Sequence, residues 1–395
     1  MAATIPTLKE LYDSIITQLE TDLQISIPVF GKIFIRAIAA VWAAKLKIYY
    51  LAIANVQKNI FVDTAETEAI GGTLERFGRV KLGRNPFPAR NGEYNITVTG
   101  TPAATIPAGA TWKSDDANAN PGKLFVLNSA HVQVTVSDTI LVEALEGGAD
   151  SRLFVTETLT ATAPIVNIDS LATVAAEVVD PAEAEDIEDY RRKAVEAYQL
   201  EAQGGAGSDY RIWSADAQGV ERVYPYLKSG TENQIDLFVE ATIADSIDGK
   251  GTPSAGLLTD VQEVVEFDPD ITKALEDRGR QPLTVNQIFY TAITPLDVNI
   301  TISNFVGLTP ALTTLIANTL EALILEIRPF VASADVEANR NDEISVNKLV
   351  AAVQDVIPGS TKFDTLTFTV NAVPIPISNQ FLNGDIPNYN TLVIT

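Results

Sequence analysis

No cysteine occurs anywhere in the 395 residues. A disulfide framework, a thiolate nucleophile and a Cys-based metal site are therefore all excluded. Histidine occurs once, as His131, so a Ser-His-Asp relay or a histidine metal site would have to run through that one residue. It opens a stretch in which Val132, Val134 and Val136 alternate with polar residues, and it reads as a structural or solvated histidine. Clustered positive charge is missing too. With 28 Lys+Arg against 51 Asp+Glu the net charge is −23, which argues against a nucleic-acid partner, since phosphate contacts need grouped cations. Only three tryptophans are present, few for the aromatic platforms of a polysaccharide-cleaving enzyme, although 51 acids leave room for a chance carboxylate pair. The start of the chain shows no basic region followed by an apolar core and a small-residue cleavage site, so no signal peptide is expected.

What is present is an ordinary globular composition, 46% hydrophobic and 20% charged. That length suits about two to four domains, each with its own core. The charge is unevenly placed. Residues 1–90 hold 11 Lys+Arg and 8 Asp+Glu, a net +3, and the remaining residues carry −26. A faintly basic, apolar head joined to an acidic body points to two different jobs.

Thr7 and Glu10 form a capping-box pattern, and Leu8, Leu11, Ile15, Leu19 and Leu23 repeat on one face, which predicts a helix over 8–24. A longer helical run follows from Ile33 to Ile60, apolar on nearly every side. Arg36, Lys45 and Lys47 interrupt it, so no uncharged stretch reaches the ~20 residues of a membrane span, and none is expected. A helix apolar all round belongs in a packed interior. The other N-terminal elements are too few to provide one, so partner helices are expected, with Trp42, Leu46, Tyr49 and Ile53 as interface residues. A bundle closed within the chain is the plainer alternative. Residues 64–90 read as a short helix punctuated by glycines.

Alternation then dominates. Tyr94, Ile96 and Val98 predict a strand ending at Gly100; Phe125 and Val126 begin another; Val132 to Val136, and Ile140, Val142 and Ala144, predict two more. Residues 91–180 are expected to be a β-rich domain. From Glu188 to Tyr226 the order is helix, glycine break, helix, strand. Tyr190, Ala194, Ala197 and Tyr198 line the first helix, Gly204 to Gly207 stop it, and Ser208 is placed as the N-cap of the second with Asp209 in its first turn. Tyr210, Trp213 and Ala217 share a face, Gly219 reads as the C′ residue, and Val220, Val223 and Tyr224 start a strand. Tyr210, Trp213 and Tyr224 are read as core.

Ile235, Leu237 and Val239 give a strand and Leu257 to Val265 a helix, so 181–294 reads as an α+β domain. Leu296 to Ile302 alternate, Leu312 to Ile327 and Ile344 to Val356 predict helices, and Phe363 to Val370 a strand. That makes 295–395 a second α+β unit. The fold class expected is α+β multidomain: an N-terminal helical segment over 1–90, the β-rich domain, then the two α+β domains.

The central stretch resembles the core motif of the baseplate J-like family, the wedge proteins of contractile phage tails and related injection machines. The match lies in Glu188 and Asp189, Arg191 and Arg192, Gly204 to Gly207, Asp209 and Tyr210, Trp213, then Gly219 and Val220. A second signature of the family, Gly-x-Leu-acid-Arg-x-Gly before Gly-x-Arg, is matched by Gly72, Leu74, Glu75, Arg76, Gly78, Gly83 and Arg84. The Thr105 to Ala110 turn is similar as well. The chain departs from the pattern at Val179, Asp180 and Pro181, where the family has a Gly-Gly pair, and at Gln281, inserted before an Arg-Pro-Leu-like return. Family-like positions run from Gly72 to Ile300.

The resemblance implies a structural subunit of a virion tail baseplate, assembled in the host cytoplasm. Its N-terminal helices would join neighbouring wedge proteins, and its later domains would link copies into a six-fold ring around a hub, next to sheath-proximal proteins. It implies no enzyme activity and no cofactor. Other constellations are weaker. The GGAGSD run lacks the Lys-Ser/Thr of a phosphate loop and lies between helices. Asp116 to Gly122 has Pro121 at the glycine place and Leu127 where a calcium loop needs Glu. The acids from Glu183 to Asp189 suit a helix N-terminus. A virion adhesin, and a tail-associated envelope hydrolase, are the rival readings.

Overall fold

A computed structural model describes residues 5–24, 26–27, 33–199, 205–359 and 361–395. The chain divides into two compact units. One comprises Met1–Asn85 with Tyr190–Tyr198, the other Pro86–Asp189 with Gln199–Thr395.

In the first unit α1 (Leu8–Leu23) opens as the sequence predicts. Thr7 Oγ1 accepts from the Glu10 amide at 3.2 Å and Glu10 Oε2 accepts from the Thr7 amide at 2.7 Å, so two otherwise orphaned donors are satisfied reciprocally. The long helix α2 (Ile33–Lys58) packs on α1, and the residues the pair buries are Ala39 and Ala43 of α2, both fully buried, with Leu11 and Ile16 of α1. Alanines at that seam let the two backbones approach. Two of the three cations that interrupt α2 turn toward the same side. Arg36 donates to the Tyr12 hydroxyl at 3.0 Å and the Ile27 carbonyl at 3.1 Å, and Lys47 to the Pro6 carbonyl at 2.8 Å. A 3-10 turn at Glu68–Ile70 leads to α3 (Leu74–Lys81). Residues 190–198 of α4 (Ile187–Gln199) complete the unit.

The second unit begins with β1 (Glu93–Gly100), β2 (Thr105–Ile106), β3 (Thr111–Ser114), β4 (Leu124–Val126), β5 (His131–Val132), β6 (Ser137–Ala144), β7 (Thr158–Ala161) and β8 (Ile168–Val179). Six of them close into an antiparallel barrel in the order β1-β6-β4-β3-β7-β8, while β2 and β5 pair separately. Tyr94, Ile96 and Val98 point inward from β1, opposite Val142 and Ile140 of β6. Trp112 and Phe125 fill the middle, and Tyr94 meets Phe125 edge-to-face at 5.7 Å. Register shifts between β1 and β8 mark bulges, which bend strands and help a small sheet close.

The expected strand from Val132 to Val136 stops at Val132, and Val134 and Val136 are exposed. Asp138 is the reason. Its carboxylate accepts from the amides of Val134 and Thr135 and from the Thr135 hydroxyl, taking up donors a neighbouring strand would need. Those bonds, the Thr135 hydroxyl foremost, hold the Asp138 carboxyl well below its usual range.

Beyond the barrel come α5 (Gly207–Ser214), β9 (Val220–Leu227), β10 (Gln234–Ala241), α6 (Ala255–Glu266) and β11 (Gln287–Ala292). The sheet order is β11-β10-β9, antiparallel between β9 and β10 and parallel between β10 and β11, with α6 in the crossover a parallel pair requires. Val223, Leu237 and Val239 meet Leu257, Val261 and Val265 in the core. Two expectations need correction. Ser208 lies inside α5 with Ala206 at the N-cap, and Asp209 caps the helix instead by accepting from the Gly205 and Ala206 amides at 2.5 and 3.2 Å. Gly219 is not the C′ residue of α5, which ends at Ser214. It sits with φ +91° at the entry to β9, a left-handed conformation that favours glycine.

The remaining elements are β12 (Thr294–Ser303), α7 (Pro310–Leu325), β13 (Glu343–Ser345), α8 (Val346–Val356), β14 (Thr365–Val370), β15 (Val373–Ile375), β16 (Ser378–Gln380) and β17 (Asp385–Ile394). The larger sheet runs β15-β14-β12-β17, with β12 antiparallel to β14 and parallel to β17. Val298, Ile300 and Ile302 of β12 meet Leu312, Ile316, Leu320 and Ile324 of α7. Ile344, expected in a helix, belongs to β13, and α8 starts at Val346 with Ser345 Oγ accepting from the Lys348 amide at 3.3 Å. The protein is thus a mixed α+β chain of several modules, with helices at one end and a barrel followed by two sheet-and-helix layers.

Candidate functional site

The α1–α2 hairpin has a surface that its own unit leaves open. Along α2, Phe34, Ile38, Trp42, Tyr49, Ile53 and Val56 are all exposed. Their spacings of three, four and seven residues place them in one stripe, to one side of the seam of Ala39 and Ala43. Trp42 is 61% exposed, Tyr49 64% and Ile53 61%, so three of the four expected interface residues share that stripe. Leu46 is half-buried at its flank. The interior that such a helix calls for is not supplied by the described residues of its own unit. α2 carries no acidic residue in its 26, and Lys45, three residues after Trp42 and four before Tyr49, is an exposed cation within the stripe. By length and composition alone α2 is long and apolar enough to cross a membrane. It is the one such helix among the described residues, with a mean hydropathy of 1.5 over its most apolar stretch.

The glycine-punctuated residues come together within the same unit, beside α4. Gly78 of α3 lies under the Tyr190 ring, where a Cβ would fall 1.9 Å from the tyrosine oxygen. Tyr190 donates to the Arg84 carbonyl at 2.7 Å, and the Arg84 guanidinium lies over the same ring. Arg191 donates to the Val62 and Ala65 carbonyls, tying the end of the α2 connection to α4. Gly72 packs on the Glu66 backbone so closely that a Cβ would meet its carbonyl oxygen at 1.8 Å, and Leu74 is fully buried. Gly72, Leu74, Gly78, Arg84 and Arg191 therefore form one packed junction. Spacing reveals none of this, because α3 and α4 are separated by the whole barrel sequence.

The other motif residues hold the central sheet. Gly205 packs against Pro282, where a Cβ would approach to 2.5 Å. Gly204, part of the expected break, lies outside the described residues. Tyr210 is buried and meets the half-buried Trp213 edge-to-face at 5.2 Å. Val220 belongs to the same core. Tyr224 is fully buried and donates to Glu240 at 2.6 Å, and Glu240 pairs with Arg328 at 3.0 Å. Burial, then the Glu240 carboxylate, pushes the Tyr224 hydroxyl well above its ordinary pKa.

Sequence reasoning missed a buried cluster of charges in the second unit, centred on Asp180. The Arg152–Asp180 ion pair at 3.3 Å has side chains only 5% and 3% exposed, and Ser254 donates to Asp180 at 2.8 Å. Asp180 stands between β8 and α4, next to Pro181, and nothing in the local spacing of these residues brings Arg152 and Ser254 to it.

His131 lies 3.1 Å from Asp138 through Nε2. In the Asp116 to Gly122 loop, Asn118 and Asn120 donate to the Thr158 and Arg152 carbonyls and so fasten the loop. Among the described residues no group of three or more His, Cys, Asp or Glu is placed to hold a metal.

No family model and no curated protein matches the chain. Among solved structures it is similar to a chain of the anti-feeding prophage baseplate, determined by electron cryo-microscopy with six-fold symmetrisation. The identity is 11% and the TM-score 0.42, over 97% of this chain and 90% of that one.

Proposed function

We propose that the protein is a structural wedge subunit of a baseplate, in a contractile phage tail or a related injection machine. The observation that carries the reading is the apolar stripe of α2, open along its length in a chain whose other large modules close their own cores. On this reading Trp42, Leu46, Tyr49 and Ile53 pack against helices of neighbouring wedge proteins. Residues 1–90 are the bundle segment and 91–180 a β-rich domain. The α+β domains over 181–294 and 295–395 link copies into a six-fold ring beside hub and sheath-proximal proteins. The motif residues Gly72, Leu74, Gly78, Arg84, Arg191, Gly205, Asp209, Tyr210, Trp213, Gly219 and Val220 act as structural fixings. Function is then mechanical, a ring of packed interfaces with two discrete arrangements and no chemical step.

The test is purification of the tagged chain from producing cells, followed by mass spectrometry and negative-stain microscopy. Co-purifying wedge and sheath-proximal proteins on six-fold particles is the expected result. A monomer that binds only envelope glycans, or that releases sugars or peptides from envelopes, overturns it in favour of the adhesin or the hydrolase. One observation favours a second occupant for α2, namely a bilayer, because the helix is long and apolar enough. Against it stand Arg36, Lys45 and Lys47, since a cation at mid-bilayer costs roughly 2.5–3.5 kcal/mol on insertion scales. Retention of the chain in carbonate-washed membranes would decide for lipid.

A further inference from the structure

At its lower end the barrel meets the central sheet through polar groups. From the barrel side come Glu177 at the end of β8, Asp180 just beyond it, Arg152 after the 3-10 turn Ala149–Ser151, Arg90 before β1, and Tyr94 within β1. From the sheet side come Ser246, and Ser254, Gly256 and Asp260 at the start of α6. Arg152 donates to the Ser246 carbonyl at 3.4 Å as well as to Asp180. Arg90 donates to the Asp180 carbonyl and, at 2.7 Å, to Asp260. Gly256 lets α6 approach closely: a Cβ there would stand 2.7 Å from Asp180 Cβ and 3.2 Å from Glu177 Oε1.

Three carboxyls thus face two guanidiniums, and both arginines are engaged by Asp180 and Asp260. Glu177 is left over. Its Oε1 is enclosed and has no hydrogen-bond partner. A buried ionised oxygen with no donor is costly, so the group is satisfied when the Glu177–Asp180 pair carries a proton.

We propose that Glu177 and Asp180 form a proton-sharing carboxyl latch that fastens the barrel to the start of α6 and loosens when the shared proton is lost. Burial first, then the Asp180 carboxylate, pushes the Glu177 carboxyl up to about 8, with Arg152 and Arg90 pulling the other way. Asp260 is also raised, by burial, with Arg90 opposing. The folded state therefore keeps a proton that the unfolded chain releases near the ordinary carboxyl value of 4.5. The contribution to stability is complete below that value and declines as pH rises to about 8. In the intact protein the latch is closed in neutral or mildly acidic surroundings and loose in alkaline ones. A hinge between barrel and sheet is where such loosening would let the second unit change shape.

Hydrogen–deuterium exchange on the full chain tests this, with rates corrected for intrinsic pH dependence. Peptides covering 173–183 and 252–262 are expected to open at least about tenfold more at pH 9.5 than at pH 6.5, since each unit above the pKa changes the protonated fraction about tenfold. Peptides from the β12–α7 core serve as the unchanged reference. In Glu177→Gln the side-chain amide supplies a permanent donor, so the same two peptides should lose their pH dependence. Opening that is independent of pH in the wild-type chain overturns the latch whether or not the variant folds. So does an identical pH dependence in wild type and Glu177→Gln.

Discussion

The α1–α2 hairpin and the barrel both carry many large apolar residues and use them in opposite ways. In the barrel, alternation sends every second side chain inward, and Trp112, Tyr94 and Phe125 vanish from solvent together. In α2 the apolar residues surround the helix, and α1 can cover one side only. Ala39 and Ala43 are buried while Trp42, Tyr49 and Ile53 stay outside. The lesson is geometric. A closed barrel has an inside for its large residues, whereas two helices have a seam and two open flanks. Burial tells which apolar residues stabilise the fold, and exposure tells which are left for a partner.

The sharpest way to break that contrast is to charge the open stripe. Trp42→Glu with Tyr49→Lys is expected to abolish co-purification with partner proteins while shifting the stability of the isolated chain by no more than about 1 kcal/mol, as surface substitutions do. A large loss of melting temperature would show instead that the stripe is core. Trp112→Ala is expected to do the reverse, destabilising the second unit by about 3–5 kcal/mol in denaturant unfolding. Gly78→Ala probes the junction under Tyr190. A Cβ 1.9 Å from the tyrosine oxygen forces the ring to move, at about 1–3 kcal/mol for overpacking. Exchange protection in α3 and in residues 190–198 should fall together. Thr7→Ala removes one acceptor of the capping box and should cost about 1 kcal/mol, visible as fraying at the start of α1. Smallest of all, Lys9→Ala breaks an exposed ion pair with Asp13 and should leave thermal unfolding unchanged.

Local signals served well wherever a helix end or a strand face follows from adjacent residues. The capping box at Thr7 and Glu10, the alternation of Tyr94, Ile96 and Val98, and the α7 stripe from Leu312 to Ile324 are of that kind. They failed where a side chain competes with the backbone. Asp138 ends the valine strand, and Asp209 rather than Ser208 caps α5. The barrel strands β7 and β8 and the C-terminal strands β15 to β17 carried too little period to be drawn individually.

By itself the sequence determined the fold class, core residues of those elements whose period was clear, such as Tyr94, Ile96 and Val98 of β1 and Leu312, Ile316 and Leu320 of α7, the absence of thiol chemistry and the uneven charge. Those depend on residue type and on periods of 2 or 3.6, which survive without knowledge of distant contacts. Only the tertiary structure decided which side of α2 stays open, that Gly78 lies beneath Tyr190, and that Glu177, Asp180, Arg152 and Asp260 meet. Each of those depends on segments far apart in the chain, brought within a few ångströms by strand pairing and helix packing that no local pattern encodes.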